Sequence, residues 1–419
     1  MIRFHVRARR LAYWAAGGTA FTCVTGGTAL GQATIAELEG SAGVIAPRAY
    51  GISGDGRTIV GSGSLGFDGR GLTWDSDLVA TVLPVLPGDT CATAIGVSAG
   101  GSWIAGTSTL DTFTDVTTNA VLWNADGTIR NLGRLPGDQR ASATSISADG
   151  SIVVGVSGDF PQQNAFVWMA DDGMVALEAP PASTNEQAFR VSADGSWIYG
   201  TVLIDGTRQI ARWARGGAVQ VIGGLPGNDL SLARASSEDG SIAFGYTSPD
   251  SVLLRWSEQG GIEDLGPLPG STGRDTLWDT NADGTIAVGY SRVRAEIFHA
   301  TIWTRTTGVA DLNDYLPALG VDLRGWTLRT AEAISDDATV MLGLGVLDGE
   351  VRPYVIRNLP PLLPCTADLD GDGEATVFDF LEFQNFFAAR DPRANFDGDG
   401  DFTFFDFLAF QTAFDAGCP

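Results

Sequence analysis

The chain has 419 residues, with 50 acids against 26 basic residues, a formal net charge of -24, and arginine at every basic position. So acidic a surface repels nucleic acid and other anionic polymers, which excludes nucleic-acid binding as the function, and it favours solubility and attracts divalent cations. Hydrophobic residues make up 44% of the chain, enough to build folded domains.

In chain order, residues 1–33 read as a secretory signal peptide. Arg3, Arg7, Arg9 and Arg10 precede an apolar, small-residue stretch from Leu11 to Leu30, and Gly31-Gln32-Ala33 fits a small-x-small cleavage site. Gly17, Gly18, Gly26 and Gly27 interrupt the stretch, which argues against a membrane anchor, and no later segment has the length and apolarity of a bilayer span. Cleavage removes four arginines and no acid, taking the formal charge from -24 to -28. The mature chain is expected to be secreted, extracellular or held at the cell surface, with no integral membrane span. Three cysteines remain in it. Cys365 and Cys418 bracket the C-terminal end and suit one disulfide in an oxidising compartment, leaving Cys91 as a single buried thiol near a strand start.

Residues 34–358 are a repeat. A Ser-x-Asp-Gly motif, followed by a short β-prone run and Gly, begins at Ser53, Ser98, Ser147, Ser192, Ser237, Asn281 and Ser335, at intervals of 44 to 54 residues. An apolar run ending in Trp falls at Trp74, Trp123, Trp168, Trp213, Trp256 and Trp303, with a degraded seventh copy at Arg352-Pro-Tyr-Val-Ile356. Leu-Pro-Gly recurs at Leu86, Leu135, Leu225 and Leu268. Within one unit, Thr93–Val97, Trp103–Thr107, Ala120–Asn124 and Thr128–Leu132 are strand-like runs separated by Gly, Asp and Asn turns. Asp149-Gly150 suits a tight hairpin because Gly accepts positive φ.

A four-stranded antiparallel meander repeated at this period predicts an all-β propeller, and seven units predict seven blades. The segment from Thr34 to Ser53 has the spacing of Thr128 to Ser147, so an N-terminal strand should close the last blade beside strands near Ala333–Ser335, Val340–Gly345 and Tyr354–Arg357. The repeat resembles the HAF family of bacterial extracellular repeats. That resemblance rests on Asn164-Ala-Phe-Val-Trp168 and His299-Ala-Thr-Ile-Trp303, followed by Leu-Gly-x-Leu-Pro-Gly as in Leu132 to Gly137 and Leu265 to Gly270. It implies a secreted propeller and names no chemistry.

Residues 359–364 contain Pro360, Pro361 and Pro364 and read as a stiff linker, after which residues 365–419 hold 12 acids against two arginines. Asp368, Asp370, Asp372, Gly373, Glu374, Thr376 and Asp379 stand at positions 1, 3, 5, 6, 7, 9 and 12 of a calcium loop, and Asn395, Asp397, Asp399, Gly400, Asp401, Thr403 and Asp406 repeat the pattern 27 residues later. Calcium takes six to eight oxygens, so a short loop must bend several carboxylates around one point, and Gly at position 6 permits the turn. Position 7 serves through its carbonyl, and position 12 is Asp rather than Glu. Two calcium ions are expected. Each loop runs into an amphipathic helix, with Phe380, Phe383 and Phe387 on one side of the first and Phe407, Phe410 and Phe414 on that of the second.

This loop-then-helix duplication, ending in Gly417-Cys418, resembles the dockerin family, whose members bind cohesin domains in a calcium-dependent way. The resemblance implies a cohesin-like or cell-surface partner. It also implies that loop positions 10 and 11, here Val377, Phe378, Phe404 and Phe405, meet that partner; the competing reading is that these apolar residues fill a very small core.

Catalysis finds little support, and no catalytic residue is assigned. His299 is the one His beyond the leader and sits at a repeat position before a strand, where a structural role accounts for it. A non-catalytic binding or structural propeller displayed through the terminal module is the first expectation, with a glycan or protein as its ligand. An extracellular polysaccharide lyase or glycosidase is the alternative, and a module that acts only as a sorting or retention tag is a third. Carboxylates converging on the central channel would favour the enzyme; a channel of Gly and aliphatics would favour the binder.

Overall fold

Burial alternates residue by residue along Cys91–Val97, as a strand half-buried between neighbours requires. The computed structural model describes residues 32–41, 43–111, 116–216, 218–225, 230–248, 251–362, 367, 369, 375–396 and 401–416. Among them are five four-stranded sheets and one of eight strands. The larger one consists of two such meanders touching through a single parallel pairing of Arg208 with Leu230.

One unit runs Cys91–Val97, Trp103–Asp111, Val116–Asn124 and Ile129–Gly133, all antiparallel, so the expected elements stand with slightly longer ends. The repeated Trp ends or nearly ends the third strand of its unit and is buried in all six copies. Trp74, Trp123 and Trp213 donate through Nε1 to the carbonyls of Glu39, Pro84 and Glu178 at 2.7 to 2.8 Å, each fastening its strand to chain 35 to 39 residues earlier. Ile356, fully buried, belongs to the degraded copy.

The Ser-x-Asp-Gly motif is a hydrogen-bonded hairpin turn. Ser147 Oγ donates to Asp149 Oδ1 at 2.7 Å and accepts from the Ile152 amide at 3.0 Å. The bonds from Ser147 and from the Ser151 amide hold the Asp149 carboxyl below the ordinary carboxylate range. Gly150 has φ +77°, and a Cβ there would meet Trp103 Cδ1 at 2.3 Å, so packing as well as conformation requires the glycine.

Thr34–Glu37 pairs antiparallel with Glu350–Arg357, completing the sheet of Thr327–Ile334 and Met341–Leu347, as the spacing anticipates. Three features differ from expectation. The Pro-rich segment is not a free spacer: Leu359 and Leu362 are buried in the core of this last unit, and the Tyr315 hydroxyl donates to the Leu362 carbonyl. The longest interval between motifs holds a short helix, α1 (Leu312–Ala318), capped by Asp311, whose Leu312 and Leu316 enter the same core. Cys91 is free and half-buried rather than buried, its Sγ accepting from the Gly69 amide at 3.3 Å.

The tail contains α2 (Val377–Ala389) and α3 (Phe404–Ala416). Phe383 and Phe410 form its centre, stacked at 4.3 Å between centroids, with Phe380, Phe387, Phe407 and Phe414 packed against them, so the expected aromatic faces meet. Residues 1–31, Cys365 and Cys418 lie outside the described residues. No helix among the described residues is long and apolar enough to cross a membrane.

Candidate functional site

The first strands of the units line one axial channel of about 130 Å³, the volume of a few water molecules. At one end the second residue of each repeated motif joins a closed ring of main-chain hydrogen bonds. The amide of Asp336 donates to Gly54, Ala282 to Asp336, Glu238 to Ala282, Ala193 to Glu238, Ala148 to Ala193 and Ala99 to Ala148, and Asp55 completes the circuit by donating to Ala99, all at 2.8 to 3.1 Å. Among the second residues of the motif at this hub, Glu238 and Asp336 are the two acids. Burial, together with the charge of nearby Glu238, raises the Asp336 pKa to about 7.

Above the hub the lining mixes aliphatics such as Ile52, Val97, Ile146 and Val191 with Arg190 and Asp279. Asp279 Oδ1 accepts from Arg190 at 3.1 Å and Oδ2 from the Ile334 amide at 3.1 Å, and burial pushes its pKa up. Both its oxygens are engaged in holding strands together. The channel therefore meets part of each description set out for binder and enzyme.

Each of these first strands carries a bulge. At one shared place in every unit, three positions before the Ser or Asn of the motif, the ladder skips a residue: Tyr50, Ile95, Thr144, Phe189, Arg234, Trp278 and Glu332. A bulge frees a residue from pairing and re-aims its side chain. Here three of them converge across units: the Arg234 guanidinium lies 4.8 Å from the Phe189 ring centroid and 4.9 Å from that of Trp278. Glu332 accepts from Arg48 at 3.1 Å, and Arg48 lies over Tyr50. Sequence reasoning missed this set, although the constant offset from the Ser motif was available to find it.

His299 Nδ1 lies 2.5 Å from Asp311 Oδ2, beside a groove that also includes Asp314 and Tyr315. The pair joins adjacent strands, in keeping with a structural histidine.

In the tail, Asp379 and Asp406 at loop position 12 are fully buried. Asp379 accepts from the amides of Leu369 and Thr376, and Asp406 from those of Phe396 and Thr403, all at 2.7 to 2.8 Å. Thr376 and Asp379 form a capping box at the start of α2, and Phe405 donates to Thr403 in the second copy. Asn395 is half-buried and Asp401 exposed. Asp368, Asp370, Asp372, Glu374, Asp397 and Asp399 lie outside the described residues, and among those described no three acids, histidines or cysteines gather as a metal cluster. Val377, Phe378, Phe404 and Phe405 are 61, 62, 65 and 66% exposed. They do not fill the core, which the other phenylalanines complete.

No protein-family model and no curated protein matches this chain. Among solved structures it is similar to an oligogalacturonate lyase in complex with manganese, at 14% identity and a TM-score of 0.52, covering 78% of this chain and 96% of that one. An oligogalacturonate lyase from Vibrio parahaemolyticus is 10% identical, with a TM-score of 0.49 and coverage of 78% and 97%. TolB from Acinetobacter baumannii is 13% identical with a TM-score of 0.43; the match covers 61% of this chain and 63% of TolB, so less than two thirds of that protein is spanned. At so low an identity the likeness to the manganese-bound lyase shows the fold alone, a β-propeller.

Proposed function

We propose that the protein is a secreted or cell-surface propeller of seven blades that binds or displays rather than catalyses, attached by a dockerin-type, calcium-loaded tail to a cohesin-like or surface partner. The hub supports seven blades, with one motif from each unit in the ring. HAF-type repeats account for the Trp and Ser-x-Asp-Gly spacing.

Docking rests on one observation: residues at loop positions 10 and 11 are apolar and exposed in both copies, while a separate set of phenylalanines makes the core. Leu381 and Leu408, 48 and 41% exposed, extend each patch by a turn of helix. Water-facing aromatics on so small a module are costly unless a partner covers them.

The donor set fits calcium. Buried Asp379 and Asp406 are drawn by two amides each toward their own loops, and every other side chain at a ligand position carries oxygen. Asp368, Asp370, Asp372, Glu374, Thr376 and Asp379 would hold one ion, and Asn395, Asp397, Asp399, Asp401, Thr403 and Asp406 the other. Bound calcium supplies the positive charge that lets these carboxylates crowd together. The chain's own part is to pin position 12 at the start of each helix, so that ordering a loop orders the helix presenting the patch.

The test is calcium titration of the full chain, with binding to a purified cohesin domain measured alongside. Calcium should raise the tail's melting temperature and permit binding. Phe378→Ser with Phe405→Ser should abolish binding and keep calcium uptake. Binding that survives both chelation and this variant would reject docking through the patch; attachment to cell envelopes with no cohesin affinity would instead identify a retention tag. A polysaccharide-active enzyme is the second reading, favoured by the Glu238 and Asp336 pair at the axis, and product release abolished by Glu238→Gln would establish it.

A further inference from the structure

We propose that the cluster of bulge residues around Arg234 is a binding site for an acidic sugar, a uronic-acid residue of a glycan, recognised by Arg234 with Arg208. The inference builds on the reading of the propeller as a binding platform and is independent of the tail. The bulge residue precedes the hub residue by four positions, about 13 Å along a strand, so this site is separate from the carboxylates of the hub.

Charge points to the ligand. In a chain with 50 acids, Arg234 has no ion-pair partner among the described residues, and its Nε is buried without a hydrogen bond. Arg208 stands near enough that burial and then the Arg234 charge pull its pKa down, and its Nη1 donates to the neutral acceptors Gln187 Oε1 and Thr201 Oγ1 at 3.0 and 3.1 Å. Two half-buried like charges without a counter-ion destabilise each other, and an anion between them offsets that cost. Neighbouring Arg190 and Arg48 each have a carboxylate, so the shortage is local.

The surroundings select a sugar rather than a bare anion. Phe189 and Trp278 both pack on the Arg234 guanidinium, at 4.8 and 4.9 Å from its carbon to their ring centroids, and restrain the fork that a carboxylate accepts in two bonds. Trp278 Nε1 is a second buried donor without an acceptor, and Tyr246 and Tyr290 stand beside the cluster. Indole and phenol rings offer apolar faces to sugar C–H groups and polar edges to hydroxyls.

The experiment is calorimetric titration of the full chain with tetragalacturonate, with cellotetraose and inorganic phosphate as controls and tryptophan fluorescence as a second readout. Tetragalacturonate should bind at least about tenfold more tightly than cellotetraose, and half-molar salt should weaken it. Arg234→Ala should weaken it about tenfold with circular dichroism unchanged, and Arg234→Lys should not restore it. Should Arg234→Ala fail to fold, Arg208→Gln gives the same reading. Equal affinity for acidic and neutral tetramers, binding of neither, phosphate binding as tight as the sugar, or unchanged affinity in the folded variants would each overturn the site while leaving attachment by the tail untouched.

Discussion

Arg352 donates through Nη1 to Glu37 Oε2 at 2.8 Å, joining residues 315 positions apart on the two strands that close the last sheet. The pair is half-exposed, so solvent screens it, and the seam is held by what lies beneath. Leu38 is fully buried and Ile35 nearly so. Leu38→Ala should cost about 3 kcal/mol in urea denaturation. Glu37→Ala should cost much less; the reverse order would make the seam electrostatic.

The hub carboxylates make stability depend on pH. Asp336 has its pKa raised from 3.8 to about 7 in the folded state, so the folded form binds the proton more tightly than the unfolded one. The stabilisation is complete below about pH 4 and is lost as pH rises through 7. Asp336→Asn should flatten that decline and raise stability at pH 8 by about 1 kcal/mol, a figure reduced for partial exposure. Melting curves between pH 4 and 8 test it; an Asn variant as pH-sensitive as the parent would show that Asp336 is not the titrating group.

The tail should melt by itself when its centre is cut. Phe410 stacks on Phe383 at 4.3 Å and also meets Phe396 and Phe414. Phe410→Ala should cost about 3 to 5 kcal/mol, most of what so small a core supplies. Calorimetry should then lose the tail's transition and keep the propeller's. A propeller transition lowered in parallel would mean that the two regions share one cooperative unit.

Repeat period, strand order and the closing strand were legible in the sequence because each unit repeats the same local signals. Trp123 and Ser147 have counterparts in other units, and seven noisy copies of one pattern read more clearly than one. Helices α2 and α3 were legible for the same reason, each following one copy of a duplicated pattern. The axial residues were not, because Tyr50, Ile95, Thr144, Phe189, Arg234, Trp278 and Glu332 share a position and no chemistry, so a search for recurring residue types passes over them. Leu359 and Leu362 were read as linker because prolines flank them, yet their side chains complete a core assembled from distant strands. The role of α1 was hidden similarly, in the length of one interval rather than in any motif.

The bulges separate inheritance from invention. Since the skipped residue gives no rung to its sheet, its identity can drift while the frame keeps its shape, and closure of the frame brings seven such free letters toward one axis. A lineage built on this scaffold could rewrite what it captures by changing a handful of codons, each at the same address in its own copy of the repeat.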